Sequence, residues 1–270
     1  MPKVKSNGIN INYLEKGEGD VVLFIPGLGG DKKLFYYQIP YFSEHYRVIV
    51  MDNRGAGLSD KPEEPYTMKI MADDVKGLLD ALEINEPINL VAVSLGGIVS
   101  QRFIHEYPDM VKKLVIVSSG LSGADPNYVP MSDEVAAKIM YPGNTIEEKV
   151  DTILNYYYHS DFVKENPYLR DMFIKGSLEK QKAGIKVMYD QQLAAAQDPE
   201  PYYEWLSDIK CPVLVMHGDG DRIWPVENAK VLKRGIGDKC ELFIIENSEH
   251  MILQSKAAEF NKKLHEFLKK

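Results

Sequence analysis

The sequence predicts an α/β fold: a mostly parallel sheet with helices on both faces and an inserted helical cap. Three observations lead there. Short, uninterrupted apolar runs such as Val21–Ile25, Ile88–Val93 and Val111–Val117 recur along the chain, and a strand that is apolar at every position is one covered on both faces. Segments of helical period stand between these runs, which is the alternation of parallel strands joined by crossover helices. The alternation stops after Ser118 and resumes at residue 212, leaving residues 119–208 without a convincing strand.

Taken in order, residues 4–16 alternate in two short pieces around Asn7-Gly8, a dipeptide that favours a two-residue hairpin turn. Val21–Ile25 runs into Pro26-Gly27-Leu28-Gly29-Gly30, a buried strand entering a loop. Arg47–Met51, followed by Asp52, is the next strand. Residues 68–83 place Met68, Met71, Val75, Leu78, Leu79 and Leu82 at helical spacing. Ile88–Val93 is a strand, residues 95–107 a helix stopped by Pro108, and Val111–Val117 another strand. Helical stretches follow at 132–141, 146–158, 166–182 and 184–196, and Pro199-Glu200-Pro201 closes that block. The end of the chain reads as a strand at 212–216, a helix at 226–234, a strand at 241–245 and a helix at 255–269. The expected organisation is a core formed by residues 1–118 and 209–270, with residues 119–208 as a cap inserted between two strands of one sheet.

With 270 residues, 44% of them hydrophobic, the chain can bury a core without disulfide staples. Its 32 Lys+Arg against 40 Asp+Glu, a net charge of −8, argue against nucleic acid and against an anionic membrane surface as partners. The charge is uneven: residues 119–208 hold 15 acidic and 8 basic residues, and 9 of the 16 Tyr. Solvated helix faces and packing aromatics account for both facts. The functional alternative is an aromatic-lined pocket that disfavours anionic substrates. Cys211 and Cys240 have no Cys or His at metal-ligand spacing, so both read as small buried hydrophobes and no metal site is expected. Gly27-x-Gly29 lacks the third glycine and the later acid of a dinucleotide site, P-loop spacing is absent, and no cofactor is expected. Residues 1–8 show no apolar signal region, and no apolar run approaches the ~18 residues of a membrane span. The expected location is the cytoplasm.

The residue with the clearest chemical signature is Ser94, in Ala92-Val93-Ser94-Leu95-Gly96-Gly97. A serine on a sharp strand-to-helix turn presents its hydroxyl above the sheet at the positive end of a helix, and small residues are needed two before and two after it. Ala92 and Gly96 meet that need, with Ala where G-x-S-x-G has its first Gly. Helix capping is the other use of such a serine. Asp52-Asn53-Arg54-Gly55-Ala56-Gly57-Leu58-Ser59 resembles a D-x-R-G-x-G-x-S turn, and together with the order of elements and the late helical insertion it makes nearly the whole chain resemble an α/β-hydrolase.

That resemblance implies a chain order of Ser, then Asp or Glu, then His. His217-Gly218-Asp219-Gly220-Asp221-Arg222-Ile223-Trp224-Pro225 resembles G-x-x-D-x-x-x-P and selects Asp221 as the acid, with Asp219 as rival. His250 follows the last strand and is the implied base. The spacing of 127 and then 29 residues fits an insertion after the fourth apolar run. The family usually has Gly before this histidine; here it is Glu249, expected to point to solvent. Pro26-Gly27-Leu28-Gly29 stands where the family has its oxyanion loop, so the backbone N–H groups of Leu95 and Leu28 are the expected donors, with Gly29 as the alternative to Leu28. The remaining histidines, His45, His105, His159, His217 and His265, are expected to be structural. His217 lies at the end of a strand, facing the floor of the site. Trp224, Tyr157 and Tyr158 are candidates to contact substrate.

Serine at position 94, rather than Asp, implies acyl transfer to water rather than haloalkane or epoxide chemistry. The expected function is hydrolysis of an ester or lactone of a small, mostly apolar molecule through an acyl-enzyme, similar to carboxylesterases and 3-oxoadipate enol-lactonases. Two alternatives stand beside it: a carbon–carbon bond hydrolase using the same three residues, and a ligand receptor or scaffold with an idle triad.

Overall fold

The computed structural model describes residues 2–182 and 186–270. Among these residues, eight strands form one sheet in the order β1-β2-β4-β3-β5-β6-β7-β8. β1 (Lys3–Ser6) and β2 (Ile9–Lys16) form the expected hairpin. Asn7 at φ 46° and Gly8 at φ 81° supply the two left-handed residues that its turn requires. β2 pairs antiparallel with β4. The pairs among β3 (Val21–Ile25), β4 (Arg47–Met51), β5 (Ile88–Val93), β6 (Val111–Val117), β7 (Val213–Gly218) and β8 (Cys240–Ile245) are all parallel.

The apolar runs divide by alternate residues between two cores. Leu23, Ile25, Leu90, Ala92, Leu114, Ile116, Val213 and Val215 face one side of the sheet, where α2 (Met68–Ala81), α3 (Leu95–Glu106) and α10 (Glu227–Ile236) pack. Val22, Phe24, Val91, Val93, Val115, Val117, Leu214 and Met216 face the other, covered by α1 (Gln38–Phe42), α11 (Ile252–Ser255) and α12 (Ala257–Lys269). Each large apolar side chain buried in this way contributes about 1.5–3 kcal/mol. That two-sided cover is why the strands carry no polar alternation.

Between β6 and β7 the chain forms α4 (Asp133–Met140), α5 (Ile146–Tyr157), α6 (Ser160–Glu165), α7 (Tyr168–Lys182), α8 (Lys186–Ala195) and α9 (Tyr202–Trp205), with no strand among the described residues. Ser132 caps α4, and a Thr145–Glu148 capping box starts α5. The expected helix at 184–196 is described from Lys186 on, and residues 184 and 185 lie outside the described residues. Most helix ends and those of the last two strands shift by one or two residues from the sequence reading, α1 lies where no helix was expected, and two further differences have a local cause. α6 occupies a stretch without helical periodicity, started by Asp161 N–H donating to His159 Nδ1. The single helix expected at 255–269 is interrupted at Lys256, whose ψ of 37° separates α11 from α12.

Candidate active site

Ser94 sits between β5 and α3 with φ 54° and ψ −122°, a conformation costing a non-glycine residue about 1–3 kcal/mol. The surroundings hold it there. Its N–H donates to Val117 O at 2.9 Å, and its own carbonyl accepts from Gly97 N at 2.7 Å and Ser119 Oγ at 2.7 Å. Its side chain makes no helix-capping bond, which removes the capping reading. Ala92 is fully buried, and a Cβ on Gly96 would lie 2.6 Å from Ile25 O. The side chain of Ser94 is half-buried and lies against the glycine loop: a Cβ on Gly27 would come within 3.5 Å of Ser94 Oγ.

Asp221 and His250 meet. His250 Nδ1 lies 2.8 Å from Asp221 Oδ2, which directs the Nδ1 proton at the carboxylate and leaves Nε2 as the basic nitrogen. Asp221 Oδ1 accepts from the N–H groups of Ile223 (3.0 Å) and Trp224 (2.9 Å). His217 approaches Oδ2 as well, with Nε2 at 3.3 Å from it and 2.7 Å from Trp224 O. A carbonyl only accepts, so His217 Nε2 carries a proton. Burial alone would push the Asp221 pKa up, but the His250 and His217 imidazoles outweigh it and hold the carboxyl well below the usual carboxylate range. The rival, Asp219, is exposed and accepts from Ser248 N at 3.2 Å. Among the described residues no hydrogen bond joins Ser94 Oγ to His250; such bonds commonly tighten only in the Michaelis complex.

The glycine loop is a tight turn. Gly30 N–H donates to Gly27 O at 3.0 Å, and Gly29 has φ 60°. Gly29 N–H donates to Gln192 Oε1 of α8 at 2.8 Å, so this amide is committed elsewhere. The N–H groups of Leu28 and Leu95 have no partner among the described residues. The turn is braced by the D-x-R-G-x-G-x-S segment. Asn53 Nδ2 donates to Pro26 O, and Asp52 accepts from Lys32 N, Lys32 Nζ and Leu58 N at 2.9–3.0 Å. A Cβ on Gly57 would sit 2.3 Å from Asp52 Oδ2. Arg54 forms a buried, bidentate pair with Asp74.

The other singled-out residues separate. Tyr157 brings its ring within 5.6 Å of the His250 ring. Tyr158 is 1% exposed, hydrogen-bonded to Gln254 and stacked on Phe162, so it packs the fold rather than facing the base. Trp224 lies beside the acid through its backbone and meets the Tyr128 ring at 5.3 Å. Glu249 is half-buried rather than solvent-facing, with Oε2 buried and unpartnered among the described residues. Burial pushes its pKa up against the pull of His159 and Arg222. His105 stacks on Trp205 at 3.8 Å. His45 and His265 lie 4.9 Å apart in an aromatic cluster with Tyr46. Both cysteines are free, and burial pushes each thiol up to about 11.

Sequence reasoning missed two contributors. His217, four residues before the acid, donates to Trp224 O and places its Nε2 3.3 Å from Asp221 Oδ2, whereas only a structural role was expected of it. Gln192 reaches Gly29 across 163 residues, and nothing local marks it. Among the described residues no group of His, Cys, Asp and Glu is placed to hold a metal, and no helix is long and apolar enough to cross a membrane. Clefts of about 220 and 450 Å³ open near Trp205 and near Lys239, and neither is lined by Ser94, Asp221 or His250.

Residues 20–257 match the model of a family described by the alpha/beta hydrolase fold. The AB hydrolase superfamily protein YisY of Bacillus subtilis (strain 168) is 30% identical over 266 residues, covering 93% of this chain and 92% of its own. The 2-hydroxy-6-oxo-6-phenylhexa-2,4-dienoate hydrolase of Comamonas testosteroni is 29% identical, covering 96% of this chain and 91% of its own. Among solved structures, Est816, described as an N-acyl homoserine lactone degrading enzyme, superposes with a TM-score of 0.83 at 27% identity, covering 98% of this chain and all of that one.

Proposed function

Since this chain belongs to the alpha/beta hydrolase fold family, we propose that it is a serine hydrolase acting on an ester or lactone of a small, mostly apolar molecule. The observation that carries this reading is the Asp221–His250 pair at 2.8 Å, with the remaining acceptor positions of the carboxylate filled. A carboxylate so held keeps one imidazole tautomer and stabilises the imidazolium formed during turnover.

In this reading His250 Nε2 takes the proton of Ser94 as Oγ attacks the carbonyl. The tetrahedral oxyanion is held by the N–H groups of Leu28 and Leu95, a pair in which one donor is typically worth about 2.7–4 kcal/mol. Collapse returns the proton to the leaving alcohol and leaves an acyl-Ser94. Water, deprotonated by His250, then releases the acid. Residues 119–208 act as the cap, and Tyr157 contributes an apolar wall beside the base. The resemblance to Est816 supports a lactone or ester as substrate. The excess acidic charge of residues 119–208, 15 against 8, favours a neutral one, modestly because salt screens exposed charges over about 8 Å.

The test is a series of aryl esters of increasing acyl length with the native protein and Ser94→Ala, followed by mass spectrometry after a serine-directed phosphonate. Turnover that depends on Ser94, with the adduct on that residue, is expected; retained turnover in Ser94→Ala sinks the mechanism. A matched neutral and carboxylate-bearing ester pair, compared at low and high salt, tests the charge argument. A preference for the anionic member at both salts refutes it. The similarity to the Comamonas testosteroni hydrolase supports a second reading, carbon–carbon hydrolysis of a dienoic ketone by the same residues. Turnover of such a ketone exceeding that of every ester would establish it instead.

A further inference from the structure

We propose that Gln192 is a positioning residue for the oxyanion turn, and that through it the seating of the inserted helices on the core controls the rate of the chemical step. The inference rests on the serine-hydrolase reading above and deepens it.

Gln192 is 1% exposed, and both ends of its amide are engaged by backbone of the core. Oε1 accepts from Gly29 N at 2.8 Å, and Nε2 donates to Arg54 O at 2.7 Å. One side chain of α8 therefore joins the glycine turn at 27–30 to the segment that follows β4. The far end is rigid, because Arg54 is held by its bidentate pair with Asp74. α8 is seated on the same region by Tyr66 Oη donating to Met188 Sδ at 3.1 Å and by Gln191 Nε2 donating to Glu63 O at 3.1 Å.

The near end acts on the softest part of the turn. Gly27 to Gly30 is closed by the Gly30 N–H to Gly27 O bond, and Gly29, at φ 60°, occupies its third position. Two common turn types differ by a flip of the middle peptide, here Leu28–Gly29, and glycine permits both. The Gly29 N–H belongs to that peptide, so its bond to Gln192 selects one orientation. The ends of the turn are already clamped at Pro26 O by Asn53 and at Gly27 O by Gly30. Rotation of the middle peptide must then be absorbed at Leu28, whose N–H is the proposed oxyanion donor. An amide side chain suits the task because it is neutral and presents a donor and an acceptor together.

The test compares Gln192→Leu, Gln192→Glu and, as a control on the seating of α8, Gln191→Leu. kcat, KM, the rate of phosphonate labelling at Ser94, and Tm are measured for each. Gln192→Leu should lower kcat about 10- to 100-fold and slow phosphonate labelling in parallel, because the phosphonyl oxygen uses the same donors, while KM changes less than about threefold. Gln192→Glu presents the same donor and acceptor only with its carboxyl protonated, because an ionised one would face Arg54 O; its kcat should therefore stay low at pH 8 and rise relative to Gln192→Leu as pH falls, which also keeps the test decisive if the Leu variant folds poorly. Gln191→Leu should lower Tm at most. Unchanged kcat in Gln192→Leu, or equal kcat losses in Gln192→Leu and Gln191→Leu, would overturn the proposal. Those outcomes leave Ser94-dependent turnover intact, whereas turnover that survives Ser94→Ala defeats the parent reading itself.

Discussion

Replacing Gly96 by alanine tests whether the contact between strand β3 and helix α3 sets the oxyanion geometry. A Cβ at this position would lie 2.6 Å from Ile25 O and 2.8 Å from Pro26 O. Both neighbours are backbone, so neither can swing aside. Carbon–oxygen contacts become ordinary at about 3.3 Å, so the end of β3 and the start of α3 must separate by roughly 0.7 Å. Overpacking of this kind costs about 1–3 kcal/mol. Alanine recovers close to 1 kcal/mol of helix propensity over glycine, leaving a net loss of roughly 0–2 kcal/mol. For a chain of this size that lowers Tm by at most several degrees. The catalytic effect should be larger, because the two proposed oxyanion donors lie on opposite sides of the contact: Leu95 N–H moves with the helix and Leu28 N–H with the strand. Misplacement approaching 1 Å can cost about 100-fold in rate, so kcat should fall roughly 10- to 100-fold with little change in KM. Steady-state kinetics on an aryl acetate, paired with thermal unfolding, reads both quantities. Full activity with unaltered stability would refute the reasoning, since the strand and helix would then not be held at the separation described.

Ala92 is fully buried, with Ile25 and Ile116 as its cross-strand partners. Ala92→Val should therefore cost about 1–3 kcal/mol in denaturant unfolding, while Ala92→Gly costs up to about 1 kcal/mol. Asp221→Asn removes the acceptor that fixes the His250 tautomer and should lower kcat by up to about 10⁴-fold. Asp219→Asn, at an exposed site, should leave kcat within a few-fold; the reverse order would move the acid to Asp219. Glu249 has its pKa raised by burial, so ionising it costs more in the folded than in the unfolded protein, and stability falls as pH rises from the unfolded value near 4.3 through the folded one. Glu249→Gln should therefore raise Tm at pH 8 more than at pH 4, and an equal shift at both pH values would contradict this. Asp221 has the opposite sign, its stabilising contribution being present above about pH 3.9 and lost as pH falls through its lowered folded pKa. Its carboxyl carbon should accordingly show no titration step between pH 8 and pH 4 by NMR.

The sequence by itself determined the strands, the hairpin and the elbow. A strand covered on both faces must be apolar at successive positions, so Val21–Ile25, Arg47–Met51, Ile88–Val93 and Val111–Val117 have the same limits in the string and in the fold. Asn7-Gly8 and Ser94-Leu95-Gly96 are equally local, because turn conformation and steric room depend on residues a few positions apart. Tertiary structure decided the rest. Asp221 and His250 meet because β7 and β8 are parallel neighbours, with Gly218 opposite Ile245, so the loops that follow leave the same edge of the sheet together. His217 comes beside the acid for a related reason: Trp224 O accepts its Nε2 proton only once the loop folds back, which holds the ring 3.3 Å from Asp221 Oδ2. Tyr157 and Tyr158, adjacent in sequence, diverge because Tyr158 leaves the helix with φ −135° and ψ 148°, which sends one ring toward His250 and the other into the core. Gln192 carried no local mark at all. Periodicity records how deeply a residue is buried, but a single hydrogen bond across 163 residues depends on how α8 docks, and no pattern of nearby residues encodes that.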